Sequence, residues 1–178
     1  MKRIKNYLVV ICLSLSFINI SCETEIPDTD IEPPTFLFEI SGDGFSETFD
    51  QNTDFESFQL NLREDALYTI TFSGADLGGM KQIQWQYDTD YVEFETSIPS
   101  PWTMSSSGLS TSINWTGSES NPTTGMVLTA RFRANGENIG HTFHFLLKDF
   151  GGVSSMENTT FRSLSIYSGN HITELIDL

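Results

Sequence analysis

The sequence predicts an all-β fold in which two antiparallel sheets pack face to face. From Phe36 onward, apolar and polar residues alternate with a period of two, the pattern of strands that are half buried on one face. Helical stripes, in which apolar residues recur every three or four positions, are nearly absent. Clusters of Gly, Ser, Asn and Asp separate the alternating segments. These observations predict a β-sandwich of about 7–9 strands, with a partly closed barrel as the second choice.

Nine segments carry this alternation and are the predicted strands. In the segment Ile83–Tyr87, apolar residues alternate with glutamines, which predicts that Ile83, Trp85 and Tyr87 face the core. Residues 170–178 form either a final strand or a frayed end. The predicted strands are Phe36–Ser41, Phe55–Leu62, Leu67–Ser73, Met80–Tyr87, Tyr91–Thr96, Leu109–Trp115, Met126–Ala134, His141–Lys148 and Thr160–Tyr167.

The first 22 residues have the order of an export signal. Three basic residues precede the apolar segment Tyr7–Ile20, and Ser21 is a small residue before Cys22. This order resembles a bacterial lipoprotein signal, in which the chain is cleaved before the cysteine and the cysteine is acylated. The resemblance implies that Cys22 is lipidated and anchors the protein to a membrane. Ordinary secretion and an uncleaved anchor are the alternatives, although the apolar segment is shorter than the ~20 residues of a spanning helix.

Residues 22–34 are rich in acidic residues and proline and predict an extended, solvated tether. Acidic residues directly behind a lipidated cysteine also resemble the tags that send some Gram-negative lipoproteins to the outer face of the outer membrane. A plain spacer is the alternative. The predicted organisation is a signal peptide at residues 1–21, a tether at 22–34 and a β-sandwich domain at 35–178, in an outer-membrane protein on the cell surface or the periplasmic face.

Charge and cysteine content exclude several functions. The signal carries three of the nine basic residues and none of the 24 acidic ones, which leaves a net charge of −18 after cleavage. Because such an acidic surface repels phosphate backbones, we expect no nucleic-acid partner. Cys12 leaves with the signal, so the remaining chain has one cysteine and forms no internal disulfide. No cofactor motif is present.

Two segments share the pattern strand, Asp-x-Gly-Gly turn, strand. They contain Asp76-Leu77-Gly78-Gly79 and Asp149-Phe150-Gly151-Gly152. An Asp can bond to its own turn backbone, and Gly tolerates positive φ. The runs resemble the B–C and F–G corners of bacterial immunoglobulin-like domains, which implies an immunoglobulin-like sandwich with Trp85 buried on strand C. No tyrosine corner is evident in the sequence.

On that mapping both turns lie at one pole of the sandwich, so the residues of the two turns should cluster. Asp76 and Asp149 are therefore weak candidates for a calcium site, which needs six to eight oxygens. Paired turn residues with no metal are the preferred interpretation.

Exposed aromatic residues are the candidate ligand-binding groups, because sugar-binding proteins stack sugar rings on them. Trp102 follows the rigid turn Pro99-Ser100-Pro101, Trp115 ends a strand, and Tyr91 begins one. For Trp102, burial as a lid on the core is the main alternative.

The sequence contains no recognisable catalytic centre. There is no G-x-S-x-G elbow, and His141 and His144 are three apart on a strand, so their side chains point to opposite faces. Glu93 and Glu95 share one face, which is typical of a solvated strand. We therefore predict a non-enzymatic, lipid-anchored binding or accessory module that recognises a glycan or an envelope protein. The first alternative is a structural or assembly lipoprotein of a surface apparatus, with no soluble ligand, and the second is a degradative enzyme or its inhibitor.

Overall fold

The computed structural model describes residues 25–152 and 156–178. The predicted signal peptide and Cys22 lie outside the described residues. Within the described part of the chain, no helix has the length and hydrophobicity needed to cross a bilayer. The regular secondary structure of residues 25–152 and 156–178 is almost entirely strand, with one short 3-10 helix at Thr89–Tyr91.

Twelve strands form the described domain. They are β1 Thr35–Gly42, β2 Phe45–Asp50, β3 Phe58–Arg63, β4 Leu67–Ala75, β5 Met80–Asp88, β6 Val92–Phe94, β7 Thr103–Ser107, β8 Ser110–Thr116, β9 Gly125–Ala134, β10 Ile139–Asp149, β11 Thr159–Gly169 and β12 Glu174–Asp177.

The strands form a sandwich of two sheets, which confirms the predicted fold class. One sheet has five strands in the order β2-β1-β4-β9-β6, and the other has seven in the order β12-β3-β11-β10-β5-β8-β7. The architecture is compatible with an immunoglobulin-like domain. One neighbouring pair, β3 with β11, is parallel, so the seven-stranded sheet is not purely antiparallel.

All nine predicted strands are present, and three more are added. Strands β2 and β7 were not predicted, because Phe45–Asp50 and Thr103–Ser107 are mostly polar and carry little apolar alternation. Strand β12 resolves the alternatives for residues 170–178 in favour of a final strand, which pairs with β3.

The core between the sheets is unusually aromatic. The alternation observed in the sequence places the side chains of Phe38, Phe72, Trp85, Phe132 and Phe143 in it, all fully buried. The Trp85 ring centroid lies 5.1 Å from that of Phe143 and 5.7 Å from that of Phe38. Burying a large apolar side chain contributes roughly 1.5–3 kcal/mol, so this cluster holds the two sheets together.

A tyrosine closes the corner between β3 and β4, where the chain passes from one sheet to the other. The buried Tyr68 hydroxyl accepts a hydrogen bond from the Arg63 backbone N–H at 2.9 Å and lies 2.5 Å from the Thr173 hydroxyl. This is the geometry of a tyrosine corner, which the sequence analysis did not find. The corner was missed because it is built at the start of β4 and joins residues that only the fold brings together.

The strands run between two ends of the sandwich. One end contains the turns 76–79 and 149–152 and the loop 117–124, and we call it the aspartate end. The other contains the turns 42–45, 63–67 and 134–139, and we call it the far end. Strand registers fix this assignment, since Ala75 pairs with Thr35 and Gly125, whereas Leu67 pairs with Arg133.

Candidate functional site

The two Asp-x-Gly-Gly turns lie side by side at the aspartate end. The Phe150 N–H donates to the Gly79 carbonyl at 3.2 Å and links them directly. In each turn the aspartate accepts a hydrogen bond from the backbone two residues later: Gly78 N–H to Asp76 Oδ1 and Gly151 N–H to Asp149 Oδ1, both at 2.7 Å. The structure thus brings together the turn residues that the sequence expected at one pole.

The two glycines of each turn have different roles. Gly79 and Gly151 adopt positive φ, at 105° and 67°, which a side chain disfavours. Gly78 and Gly152 instead leave room for the N-terminal segment: a Cβ at position 152 would lie 2.4 Å from Thr29 Cα, and one at position 78 would lie 2.5 Å from Asp30 Oδ2.

A third carboxylate therefore joins the pair. Asp30, Asp76 and Asp149 each place a carboxylate oxygen within 4.8 Å of the others. Burial raises the pKa of Asp76 to about 6, against the opposing hydrogen bond from Gly78, and the charges of Asp30 and Asp149 add to the rise. Near neutral pH this cluster concentrates negative charge.

Asp149 is fully buried, and its carboxylate accepts hydrogen bonds from Gly151 and Asn158. Beyond Gly151, its Oδ1 accepts from the Asn158 backbone N–H at 2.6 Å, and its Oδ2 accepts from the Asn158 side-chain amide at 2.8 Å. Calcium takes six to eight oxygen ligands, whereas this cluster offers three carboxylates, one of which is engaged by three donors. Asp76 and Asp149 thus cap paired turns, and together with Asp30 they also form a carboxylate group of the kind that can hold a metal ion.

The predicted aromatic candidates lie mainly in the core. Trp102 and Trp115 are each only 5% exposed, and the Trp102 indole N–H donates to the Val127 carbonyl at 3.1 Å. The Trp102 indole packs near Phe72, with ring centroids 6.3 Å apart. Trp102 is therefore a lid on the core, the main alternative to a binding residue. Tyr91 is half buried, and its ring packs on the His141 imidazole with ring centroids 4.9 Å apart. None of the three presents a free ring face of the kind the sequence analysis envisaged.

The two histidines considered for catalysis are separated by the fold, whereas Glu93 and Glu95 lie together beside one surface pocket that Arg133 also lines. His141 points into the core, 3.0 Å from the Ser168 hydroxyl, and burial lowers its pKa to about 4. His144 points to the opposite face, as its spacing predicted. Glu95 forms ion pairs with Arg131 and Arg133 at 3.3 and 3.0 Å.

The outer face of the seven-stranded sheet carries a repeated side-chain chemistry. Two cross-strand rows run over five strands, β11, β10, β5, β8 and β7, and no residue in either row is an acid, lysine or arginine. We call these ten residues the glutamine face. The first row is Phe161, Leu146, Gln84, Asn114 and Thr103, and the second is Ser163, His144, Gln86, Ser112 and Ser105.

The glutamine face offers amide and hydroxyl groups around one exposed ring. The Phe161 side chain is 53% exposed and stacks on His144, with ring centroids 5.8 Å apart and planes inclined by 17°. The His144 Nδ1 lies 2.9 Å from the Ser163 hydroxyl, which fixes the orientation of that imidazole. With strands about 4.8 Å apart, five strands make a face roughly 19 Å wide.

The outer face of the five-stranded sheet differs in charge. Each of its comparable rows contains a charged residue: Asp50 beside Leu37, Glu39 beside Thr71, and Arg131 beside Thr69. In a chain this acidic, charged residues are expected on any solvated face. The uncharged rows therefore distinguish the glutamine face from these three rows of the five-stranded sheet.

The sequence contained part of the signal for this face. Gln84 and Gln86 alternate with core residues, and in the sequence they served only to locate the core. Alternation within one strand does not reveal which residues of four other strands line up beside them. That information comes from the register, which only the structure supplies.

No protein-family model matches this chain, and no curated protein shows significant sequence similarity to it. The fold defines the class of protein, a β-sandwich domain.

Proposed function

We propose that this protein is a non-enzymatic binding module of the cell envelope, anchored by lipid at Cys22, and that its glutamine face binds an uncharged glycan. The observation that carries the proposal is the pair of uncharged rows that cross five strands of a strongly acidic chain. A charged ligand would be matched by charged side chains, and these rows contain none.

The chemistry of the face suits sugar hydroxyls. Gln and Asn side chains both donate and accept hydrogen bonds, and Ser and Thr hydroxyls do the same, so the rows can pair with groups that are themselves donors and acceptors. Phe161 supplies the exposed ring on which a sugar ring stacks, taking the role that the sequence analysis gave to Trp102. A flat sheet face also accommodates an extended chain without a deep cleft.

A protein partner fits this face less well. Protein interfaces draw most of their affinity from buried Trp, Tyr and Arg anchors. The ten residues of the glutamine face include none of these types. We therefore assign the face to a glycan and treat a protein ligand as an outcome of the test.

The test is binding of the Cys22→Ser chain, starting at residue 22, to an array of neutral, uronic-acid and sulfated glycans. We expect saturable binding to a neutral glycan. Phe161→Ala should weaken it about tenfold, equivalent to about 1.4 kcal/mol, because stacking is lost. Val127→Ala, which removes an exposed apolar side chain from the other sheet, is the matched control and should leave binding unchanged.

Two results would contradict the assignment. One is binding that is restricted to acidic glycans. The other is equal loss of binding in the Phe161 and Val127 variants. If no glycan binds but an envelope protein co-purifies and is lost with Phe161→Ala, the ligand class is a protein.

Lipid anchoring has its own test. Cys22→Ser should move the full-length protein from the membrane fraction to the soluble fraction, because the acylated residue is absent. Retention of this variant on membranes would refute the anchor.

A second candidate, assembly into a larger surface structure, is favoured by strand β7. It is the edge of the seven-stranded sheet, all five of its residues are exposed, and none is charged. Edge strands usually carry charge or proline that prevents pairing with another chain, so this edge is open to strand addition. Met104 lies on this edge strand but is not part of the glutamine face. Met104→Lys should therefore abolish the binding of a partner that pairs with β7, while glycan binding is retained.

A further inference from the structure

We propose that the aspartate end of the sandwich faces the membrane and that residues 27–34 hold it there. The inference rests on the proposed lipid anchor at Cys22. It adds an orientation to that anchor: the far end points away from the bilayer, and the glutamine face stands between the two ends.

The described part of the predicted tether is extended but is not separate from the domain. Asn158 donates from its side-chain amide to the Asp30 carbonyl at 3.1 Å, and the Thr160 hydroxyl donates to the Pro34 carbonyl at 2.6 Å. Pro34 is buried. These contacts tie the segment to the beginning of β11.

The segment also crosses directly over both turns. Its backbone at Asp28 and Thr29 occupies the space beside Gly152, and a Cβ at position 78 would come within 3.0 Å of the Pro27 ring. The chain therefore already contacts the turns at Pro27, beside the aspartate end.

The short remaining distance keeps the aspartate end close to the bilayer. Pro27 lies five positions after Cys22, and a fully extended chain of that length spans at most about 17 Å. A tether of thirteen residues would reach roughly 45 Å and would allow the domain to tumble. With the shorter link, the far end cannot approach the bilayer without the aspartate end being there too.

The dimensions of the sandwich then place the proposed glycan site. Strand β4 has nine residues and separates the two ends by about 30 Å. Gln84 and Gln86 lie four and six residues along β5 from Met80, or roughly 13 and 20 Å from the aspartate end. A headgroup layer is about 5–8 Å thick, so the glutamine face stands clear of it.

The experiment compares fluorescence energy transfer from two labelled positions to an acceptor dye on lipid headgroups. The full-length lipidated protein is reconstituted into phosphatidylcholine vesicles. Glu119→Cys labels the aspartate end and Glu137→Cys labels the far end; both are exposed glutamates in loops, so the two substitutions are matched. We expect strong transfer from position 119 and weak transfer from position 137.

A third variant tests the cause. Inserting about fifteen Gly and Ser residues between Glu25 and Ile26 adds a flexible link of roughly 20 Å. It should make the two transfer efficiencies converge while vesicle binding is retained.

The outcomes separate this inference from the proposal on which it rests. Equal transfer from both positions in the vesicle-bound protein, or stronger transfer from position 137, would overturn the orientation while leaving the anchor intact. Vesicle binding that does not depend on Cys22, tested with Cys22→Ser, would overturn both. Insensitivity to the inserted residues would show that the short link is not what orients the domain.

Discussion

Replacing Asp76 by Asn should stabilise the protein at neutral pH. Asp76 lies beside Asp30 and Asp149, and burial raises its pKa from 3.8 to about 6. At pH 7 the folded state therefore holds a carboxylate where its surroundings favour the neutral acid. Asn removes the charge, and its side-chain oxygen can still accept the hydrogen bond from the Gly78 N–H.

The size of the effect follows from the pKa difference. A shift of one pKa unit corresponds to 1.36 kcal/mol, so the rise from 3.8 to about 6 sets an upper bound of about 3 kcal/mol. Asp76 is partly solvent-exposed, and screening reduces this. We expect Asp76→Asn to raise the free energy of unfolding by about 1–2 kcal/mol at pH 7.

The pH dependence has a definite sign. Because the folded-state pKa of Asp76 is the higher one, the folded state binds more protons between pH 3.8 and about 6. The contribution of Asp76 to stability is thus fully present below pH 3.8 and is lost as the pH rises through 6. The advantage of Asp76→Asn should shrink on acidification and vanish near pH 4.

Urea denaturation of the wild type and the variant at pH 7, 5.5 and 4 measures this difference, with EDTA present to remove metal ions. Asp149→Asn is the matched control: its new amide would face the donating Asn158 amide, so we expect it to be destabilising at every pH. If Asp76→Asn were neutral or destabilising at pH 7, or if its advantage did not change with pH, the argument about buried charge would be wrong.

Three further predictions concern stability. Tyr68→Phe should lower the free energy of unfolding by about 1–2 kcal/mol, because the buried hydroxyl no longer hydrogen-bonds to Arg63 and Thr173. The measurement is a lower urea midpoint, and an unchanged midpoint would show that the tyrosine corner does not stabilise the fold. Burial lowers the pKa of His141 from 6.5 to about 4. The contribution of the neutral imidazole to folding stability is therefore present above pH 6.5 and is lost as the pH falls through 4. His141→Gln should therefore lose less stability than wild type between pH 7 and 4, and a parallel loss would refute this. Calcium at about 1 mM should leave the Tm unchanged, since three donors already engage Asp149; a clear rise would assign the aspartate end to a metal.

The alternation of side chains by itself determined the fold class. Ile83, Trp85 and Tyr87 were predicted to face the core and are buried, because a strand places successive side chains on opposite faces whatever its neighbours are. The same local rule separated His141 from His144. Local turn chemistry also identified the two Asp-x-Gly-Gly turns correctly.

The tertiary structure decided what depends on distant residues. Trp102 and Trp115 were plausible binding residues until packing placed them in the core, since the burial of a large aromatic side chain depends on the elements that cover it. The docking of residues 27–34 was hidden because an acidic, proline-containing segment looks solvated when its neighbours are unknown. Gly78 and Gly152 looked like ordinary turn glycines, yet they leave room for that segment.

The glutamine face shows the same division. The sequence determined that Gln84 and Gln86 would point away from the core, because their neighbours alternate with them. Only the pairing of β5 with β8 and β10 placed Asn114, Ser112 and His144 beside them. Alternation is set within one strand by backbone geometry, whereas register is set between strands by the packing of the whole sandwich.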